Sequence, residues 1–183
     1  IFRHADDVLS GGVIIYDSDI EKSKATDVYT LENDFRKRLL KFFESKNKQD
    51  SVKDMLEIAS ENGVKTFPVS FRGILSDLSD QMNNSRLKGM VRMFNVLGVS
   101  FSLGMLKSPT HIMHNAIESI FSGKKAVAEL NVKAATFAYN YAAAKFTDVN
   151  FSFETKQVKP NTILIQGHYG TSLGKMVAGC RFQ

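Results

Sequence analysis

Gly11-Gly-Val-Ile-Ile-Tyr-Asp-Ser-Asp19 decides the fold class. Four consecutive apolar residues, Val13, Ile14, Ile15 and Tyr16, show no polar alternation, the pattern of a strand covered on both faces, as parallel strands between helices are. Gly11-Gly12 supplies the turn before it, and Asp17-Ser18-Asp19 ends it with turn-forming side chains. Upstream, residues 2–9 read as the end of a helix. Downstream, an amphipathic helix from Thr30 places Leu31, Phe35, Leu39 and Phe42 on one side. A polar loop over residues 47–50 follows, and Ser51 then caps a helix carrying Val52, Met55, Leu56 and Ala59. That helix ends at Asn62-Gly63, a left-handed exit. Residues 64–69 form a second strand, with Pro68 indicating an edge position or a strand end. The expectation is an α/β fold, a three-layer open sheet with residues 13–16 central and 64–69 nearer an edge.

The centre of the chain is helical. Residues 71–81 read as a short helix, broken by Asn83-Asn84-Ser85. Residues 86–106 are apolar almost all round after a basic first turn, so a buried helix is expected, with Gly98 and Ser102 four apart as a point of close backbone approach. Ser108-Pro109 reads as cap and first-turn proline of the next helix, whose apolar face is Ile112, Met113, Ala116, Ile117 and Ile120. Gly123 ends it. Val127, Leu130, Ala134, Phe137 and Tyr141 recur at three- and four-residue steps along a last helix.

The predicted first module spans residues 1–145 and reads as incomplete at its amino end. Residues 146–160 lack helical periodicity and read as a linker, with Phe151 and Phe153 on one side of an extended segment. The remainder opens a second unit. A β-run over residues 162–166, a glycine turn, a small-residue helix over 171–178 and an exit at Gly179 make the first β-α of a further domain over residues 161–183. Left uncovered, that opening would expose an apolar strand and half a helix, so either docking on a partner or poor order is expected.

Composition excludes several functions. The chain has 183 residues, 43% of them apolar, enough for a core without staples. One cysteine, Cys180, cannot make an internal disulfide or supply four thiolates to an iron–sulfur or zinc site. A single thiol suits a reducing, cytoplasmic setting. No apolar run approaches the length of a membrane span. The net charge of +5 resides partly in Arg36-Lys37-Arg38-Lys41 and Arg86-Lys88-Arg92, but acids are interleaved and no basic run alternates with aromatics. Solvated helical faces, without nucleic acid or membrane as partner, are the expectation.

Few residues could carry chemistry. His111, His114 and Glu118 share an i, i+3, i+7 face with metal-ligand potential. That face lies opposite the apolar one, so solvated side chains are expected and no metal site. Gly167, Gly170 and Gly174 follow a strand-like run, but their spacing misses both the dinucleotide and the P-loop fingerprints. Tight turning and helix packing account for them. No nucleophile–base pattern has local support, so no catalytic residue is assigned, and Cys180 reads as structural or incidental. Asp17 and Ser18 are the ligand-binding candidates, because open α/β sheets take ligands at the carboxyl ends of their strands.

Five stretches carry a family resemblance. Gly11-Gly-Val-Ile-Ile-Tyr-Asp17, Arg92-Met-Phe-Asn-Val-Leu-Gly98 and the region from Gly123 through Asn131-Val-Lys-Ala-Ala-Thr-Phe-Ala-Tyr139 resemble the gamma module of 2-oxoacid:ferredoxin oxidoreductases. Ile163-Leu-Ile-Gln-Gly167 and Leu173-Gly-Lys-Met-Val-Ala-Gly179 resemble the opening of the alpha module that follows gamma in fused subunits. The order of modules ties the two matches together. His168-Tyr169-Gly170 departs from the asparagine and small residues more usual there.

The resemblance implies an enzyme that oxidatively decarboxylates a 2-oxoacid, transfers the acyl group to coenzyme A and passes electrons to ferredoxin. Thiamine diphosphate, Mg2+ and an iron–sulfur cluster would be its cofactors, held by a beta subunit, with coenzyme A as substrate. This chain alone would bind none of the cofactors. Its implied partners are the beta subunit, the rest of the alpha module and, through the holoenzyme, ferredoxin. The implied role is to brace the thiamine-containing core and form part of the approach for coenzyme A. A stand-alone small-ligand-binding α/β domain and a subunit-interaction module are the alternative readings.

Overall fold

The computed structural model describes residues 1–149, 151 and 159–180. It divides into two compact units, Ile1–Phe153 and Glu154–Gln183.

The first unit is built on a two-stranded parallel sheet. β1 (Val13–Asp17) pairs with β2 (Lys65–Val69) in the register Val13↔Lys65 to Asp17↔Val69. Period-two alternation sends successive side chains to opposite faces. Ile14 and Tyr16 join one apolar cluster with Leu39, Phe43, Val52, Met55 and Leu56. Those residues come from α1 (Asn33–Ser45) and α2 (Val52–Glu61). Val13, Ile15, Phe67 and Val69 join another. It is formed with α3 (Phe71–Gln81), α4 (Phe94–Met105) and α6 (Lys125–Lys145). Helices therefore cover both faces of a mixed α/β, three-layer unit. The sheet is narrower than an open one: β1 has a single strand neighbour among the described residues, so it is not central there.

The helical layer owes its closeness to small residues. Ala134, Ala138 and Ala142 of α6 are wholly buried. A Cβ at Gly104 of α4 would fall onto the backbone of Tyr139, 2.9 Å from its Cα. α5 (Thr110–Ile120) lays Met113 and Ile117 against Ala135 and Val132 of α6. Among the described residues, no helix is long and apolar enough to cross a membrane.

Local signals explain most element ends. Ser51 accepts from Asp54 N–H at 3.0 Å and Ser70 from Gly73 N–H at 3.0 Å, each an N-cap. Gly63, at φ +84°, closes α2 in the left-handed conformation expected of it. Four expectations are corrected. Residues 2–9 form turns, not a helix end, because only Phe2 and Ala5 are buried to anchor them. Residues 85–93 form two short 3-10 turns, Ser85–Gly89 and Val91–Met93, so the buried helix starts at Phe94. Leu87 is the one buried residue of the first turn, and Gly89 disfavours helix by about 1 kcal/mol. Pro109, not Ser108, sits at the cap of α5; Ser108 N–H instead closes α4 on the Leu103 carbonyl, and its own carbonyl accepts from Tyr139 Oη at 2.9 Å. Ile112 and Ile120, expected on the apolar face of α5, are exposed.

Phe146, at the start of the expected linker, is buried at 7% exposure and packs against Phe67, the rings tilted by 48° with centroids 4.7 Å apart. Val149 joins the same cluster. The linker's middle, residues 152–158 with Phe153, lies outside the described residues.

In the second unit the expected strand over residues 162–166 is absent: the segment has no ladder partner among the described residues. The helix, α7 (Gly167–Val177), starts four residues earlier than expected. Gly170 thus lies inside a helix rather than at a turn, and Gly174 is helical as expected. Gly179, at φ +81°, makes the predicted exit, and Cys180 N–H bonds the Lys175 carbonyl at 2.9 Å.

Candidate functional site

The carboxyl end of the sheet is where the candidate ligand residues sit. Asp17 is the last residue of β1, and its Oδ1 caps the 3-10 turn Ser18–Ile20 by accepting from Asp19 N–H at 3.2 Å. The same oxygen accepts from Phe71 N–H at 3.4 Å, in the first turn of α3. Asp17 thus ties the end of β1 to the helix that follows β2. Ser18 is half-buried beside it, its carbonyl accepting from Glu21 N–H at 3.4 Å. Asp19 Oδ2 faces Arg72 Nε at 3.6 Å, and the Arg72 guanidinium lies 6.0 Å from the Phe94 ring centroid. Two carboxylates and one guanidinium therefore gather at this end of the sheet. That donor set suits an amide- or hydroxyl-bearing ligand better than a phosphate, which calls for more cationic or N–H donors.

Tyr16, one residue earlier, points to the opposite face and carries a polar pair that sequence reasoning missed. Its hydroxyl donates to Glu21 Oε1 at 2.8 Å. Burial first, then the hydrogen bond to the Glu21 carboxylate, push the phenol up to about 12. A cavity of about 560 Å³ opens here, lined by Tyr16, Glu21, Lys53, Leu56, Glu57 and Thr66. Lys48 lies beyond it, held by Glu57 at 2.8 Å and Glu61 at 3.4 Å; the hydrogen bond it donates to Glu57 leads in raising its pKa. An adjoining cavity adds Lys22, Lys24 and Asp54 to these groups. The first cavity sets one lysine among glutamates and the second mixes both signs, so neither presents a single sign of charge. The available sequence signal was a tyrosine closing an apolar run with a glutamate five residues on.

The histidine face separates. His111 and Glu118 are exposed, as expected, but His114 turns toward α6. Thr136 Oγ1 donates to the Val132 carbonyl, so it accepts from His114 Nε2–H at 2.9 Å, which sets that tautomer. The expectation of a wholly solvated trio is corrected for His114. Among the described residues no three His, Cys, Asp or Glu side chains come together to hold a metal. Cys180 is exposed.

Comparison with known proteins extends the picture. A family model described as pyruvate ferredoxin/flavodoxin oxidoreductase matches residues 1–141. Over 98% of its length the chain is 26% identical to "2-oxoacid:ferredoxin oxidoreductase 2, subunit alpha" of Aeropyrum pernix. It is likewise 26% identical to "2-oxoacid:ferredoxin oxidoreductase subunit alpha" of Saccharolobus solfataricus and to "2-oxoacid:ferredoxin oxidoreductase 1, subunit alpha" of Sulfurisphaera tokodaii, in each case over 100% of its length. In all three the chain spans 28% of the relative.

Proposed function

The chain belongs to the pyruvate ferredoxin/flavodoxin oxidoreductase family, and from that premise we propose that it is a bracing, non-catalytic segment of a 2-oxoacid:ferredoxin oxidoreductase alpha subunit. It would comprise the gamma-type module, whose core takes in Phe146 and Val149 beyond the limit at residue 145 expected from sequence, then the remainder of the linker to residue 160 and the start of the alpha module at 161–183. The single observation that carries this reading is the end-to-end match to three alpha subunits. It supports gamma-then-alpha order within one polypeptide. The polar side chains at the carboxyl end of the sheet support the bracing role. Asp17, Ser70 and Tyr16 are each engaged by neighbours that hold an element end, which leaves them few free valences for chemistry.

The holoenzyme so proposed decarboxylates a 2-oxoacid to an acyl-coenzyme A and sends the electrons to ferredoxin, in the cytoplasm. On the family resemblance its thiamine diphosphate, Mg2+ and iron–sulfur cluster would be held by the beta subunit, and the residues described here offer no site for them. One cysteine is three short of a cluster, and no three metal-binding side chains converge among the described residues. Coenzyme A is the one ligand this segment would approach. Asp17 and Ser18 would receive the amide- and hydroxyl-bearing arm of that molecule, leaving its phosphates to other parts of the enzyme.

A subunit-interaction role is compatible and has its own support. Ile163, Leu164, Leu173, Met176 and Val177 of the second unit are all exposed, Leu164 completely. Docking on the rest of the alpha module would cover them.

Calorimetry on the assembled alpha and beta subunits tests the reading. Asp17→Asn should leave thiamine diphosphate content and decarboxylation unchanged while weakening coenzyme A binding several-fold. Tight thiamine diphosphate binding by an alpha subunit stripped of its partner would overturn it.

A further inference from the structure

The turn that carries Ser18 has no apolar anchor of its own. Ser18, Asp19 and Ile20 form a single 3-10 turn without a buried residue, so polar contacts at its two ends decide where it lies. On the entry side the frame is fixed, since Asp17 closes the ladder opposite Val69. On the exit side the frame is fixed again. Ala25 N–H donates to the Asp50 carbonyl at 2.7 Å and Val52 N–H to the Ser23 carbonyl at 2.9 Å, while Lys24 bridges Ser51 in antiparallel fashion. Residues 23–25 are thereby fastened to the amino end of α2. Glu21 stands where the turn meets that frame.

Three bonds converge on Glu21. Its N–H donates to the Ser18 carbonyl at 3.4 Å, its carbonyl accepts from Lys53 N–H at 3.0 Å, and its carboxylate accepts from the Tyr16 hydroxyl at 2.8 Å. The first two, like the bond from Ser23 N–H to the Ile20 carbonyl at 2.9 Å, are backbone ties within the segment or to α2. The third joins the turn to β1, and it is the strongest side-chain tie the turn has. It is short, part-buried and accepted by a charged group. The Asp17 cap on the same turn is longer, at 3.2 Å. The Asp19–Arg72 pair, 3.6 Å apart, joins two exposed side chains and contributes little. Alternation along β1 sends Tyr16 and Asp17 to opposite faces, so Glu21 and Asp17 grip the strand end from opposite sides with Ser18 between them.

We propose that Glu21 is a positioning residue for coenzyme A: through Tyr16 it holds the Ser18 turn in the posture in which Asp17 and Ser18 receive the ligand's amide- and hydroxyl-bearing arm. This rests on the reading that those two residues meet coenzyme A. Glu21 itself makes no ligand contact; its carboxylate lines the cavity on the other face with Tyr16, Lys53 and Thr66. Losing it removes no group from the ligand's side. The turn instead gains conformational freedom, and binding must order it again. The phenol needs an accepting oxygen rather than a charge, so a glutamine can serve in place of the glutamate.

Calorimetric titration of coenzyme A into the assembled alpha and beta subunits tests this. Glu21→Ala should weaken binding about three- to tenfold, the worth of one hydrogen bond, with thiamine diphosphate content unchanged. Glu21→Gln should restore most of the affinity. Tyr16→Phe should reproduce the loss and add nothing further when combined with Glu21→Ala. Unaltered affinity in Glu21→Ala and Tyr16→Phe, beside a loss in Asp17→Asn, would overturn the proposal and leave the functional reading standing. A loss that glutamine does not restore, that adds in the double variant, or that comes with falling thiamine diphosphate content would also overturn it, as general damage to the fold. Unaltered affinity in Asp17→Asn would remove the functional reading itself, and the role of Glu21 with it.

Discussion

Gly104 shows how one missing methyl sets the distance between two helices. Its Cβ would meet the carbonyl oxygen of Tyr139 and lie 2.9 Å from that residue's carbonyl carbon, and backbone cannot rotate aside as a side chain can. Gly104→Ala should therefore lower stability by about 1–3 kcal/mol in urea titration, the usual range for overpacking. Gly98 is the control, since a Cβ there would meet only ring carbons of Phe71 at an ordinary 3.9 Å. Gly98→Ala should be neutral or stabilising by about 0.5–1 kcal/mol through helix propensity. Tyr16 offers a second residue-level test. Its pKa in the folded chain is about 12, above the ordinary phenol value near 10. The folded state thus favours the neutral phenol. Its contribution is complete below about pH 10 and is lost as pH rises through about 12. The stability difference between the parent and Tyr16→Phe should shrink across that window and be constant below it.

Asp17 acts at the scale of elements, because a single oxygen joins the 3-10 turn after β1 to the first turn of α3. Asp17→Ala should cost about 1–2 kcal/mol by thermal melting, within the range for a lost cap. Asp17→Asn, which keeps an accepting oxygen, should restore most of it. The elements themselves were largely readable. α2 was marked at both ends, by Ser51 and by Asn62-Gly63, and α3 matched its apolar spacing from Phe71 to Gln81. Reading failed where local pattern competed with tertiary context. Ser108 has the chemistry of a cap, but its backbone is already committed to closing α4 and receiving Tyr139. Ile163-Leu-Ile165 has strand propensity, yet a strand exists only through a ladder partner. The sheet-end location of Asp17 and Ser18 was legible from the apolar run that precedes them. The Tyr16–Glu21 pair was not, because it depends on how the 3-10 turn folds back.

For the first unit as a whole, the critical boundary lies beyond α6. Phe146 and Val149 are part of the core rather than a tether. Phe146→Ala should destabilise by about 3–5 kcal/mol, as truncation of a buried aromatic does, measured by denaturant unfolding of the full chain. A chain cut after residue 145 should suffer at least as much, whereas one retaining residues up to 153 should keep a cooperative transition.

The pairing of Val13 with Lys65 also dictates an order of events. Closing a loop of some fifty residues carries a length-dependent entropy cost of about 3 kcal/mol, which hydrogen bonds alone do not recover early in folding. α1 and α2 fill that loop, so their packing must shorten it before the ladder can close. Refolding rates should therefore respond to substitutions at Phe43 and Met55, where these helices meet the sheet, with φ-values above about 0.5. Substitutions along the Thr66–Pro68 edge should instead appear in the unfolding rate. The chain would commit to its hydrophobic hairpin of helices first and acquire its sheet as the final, reversible latch.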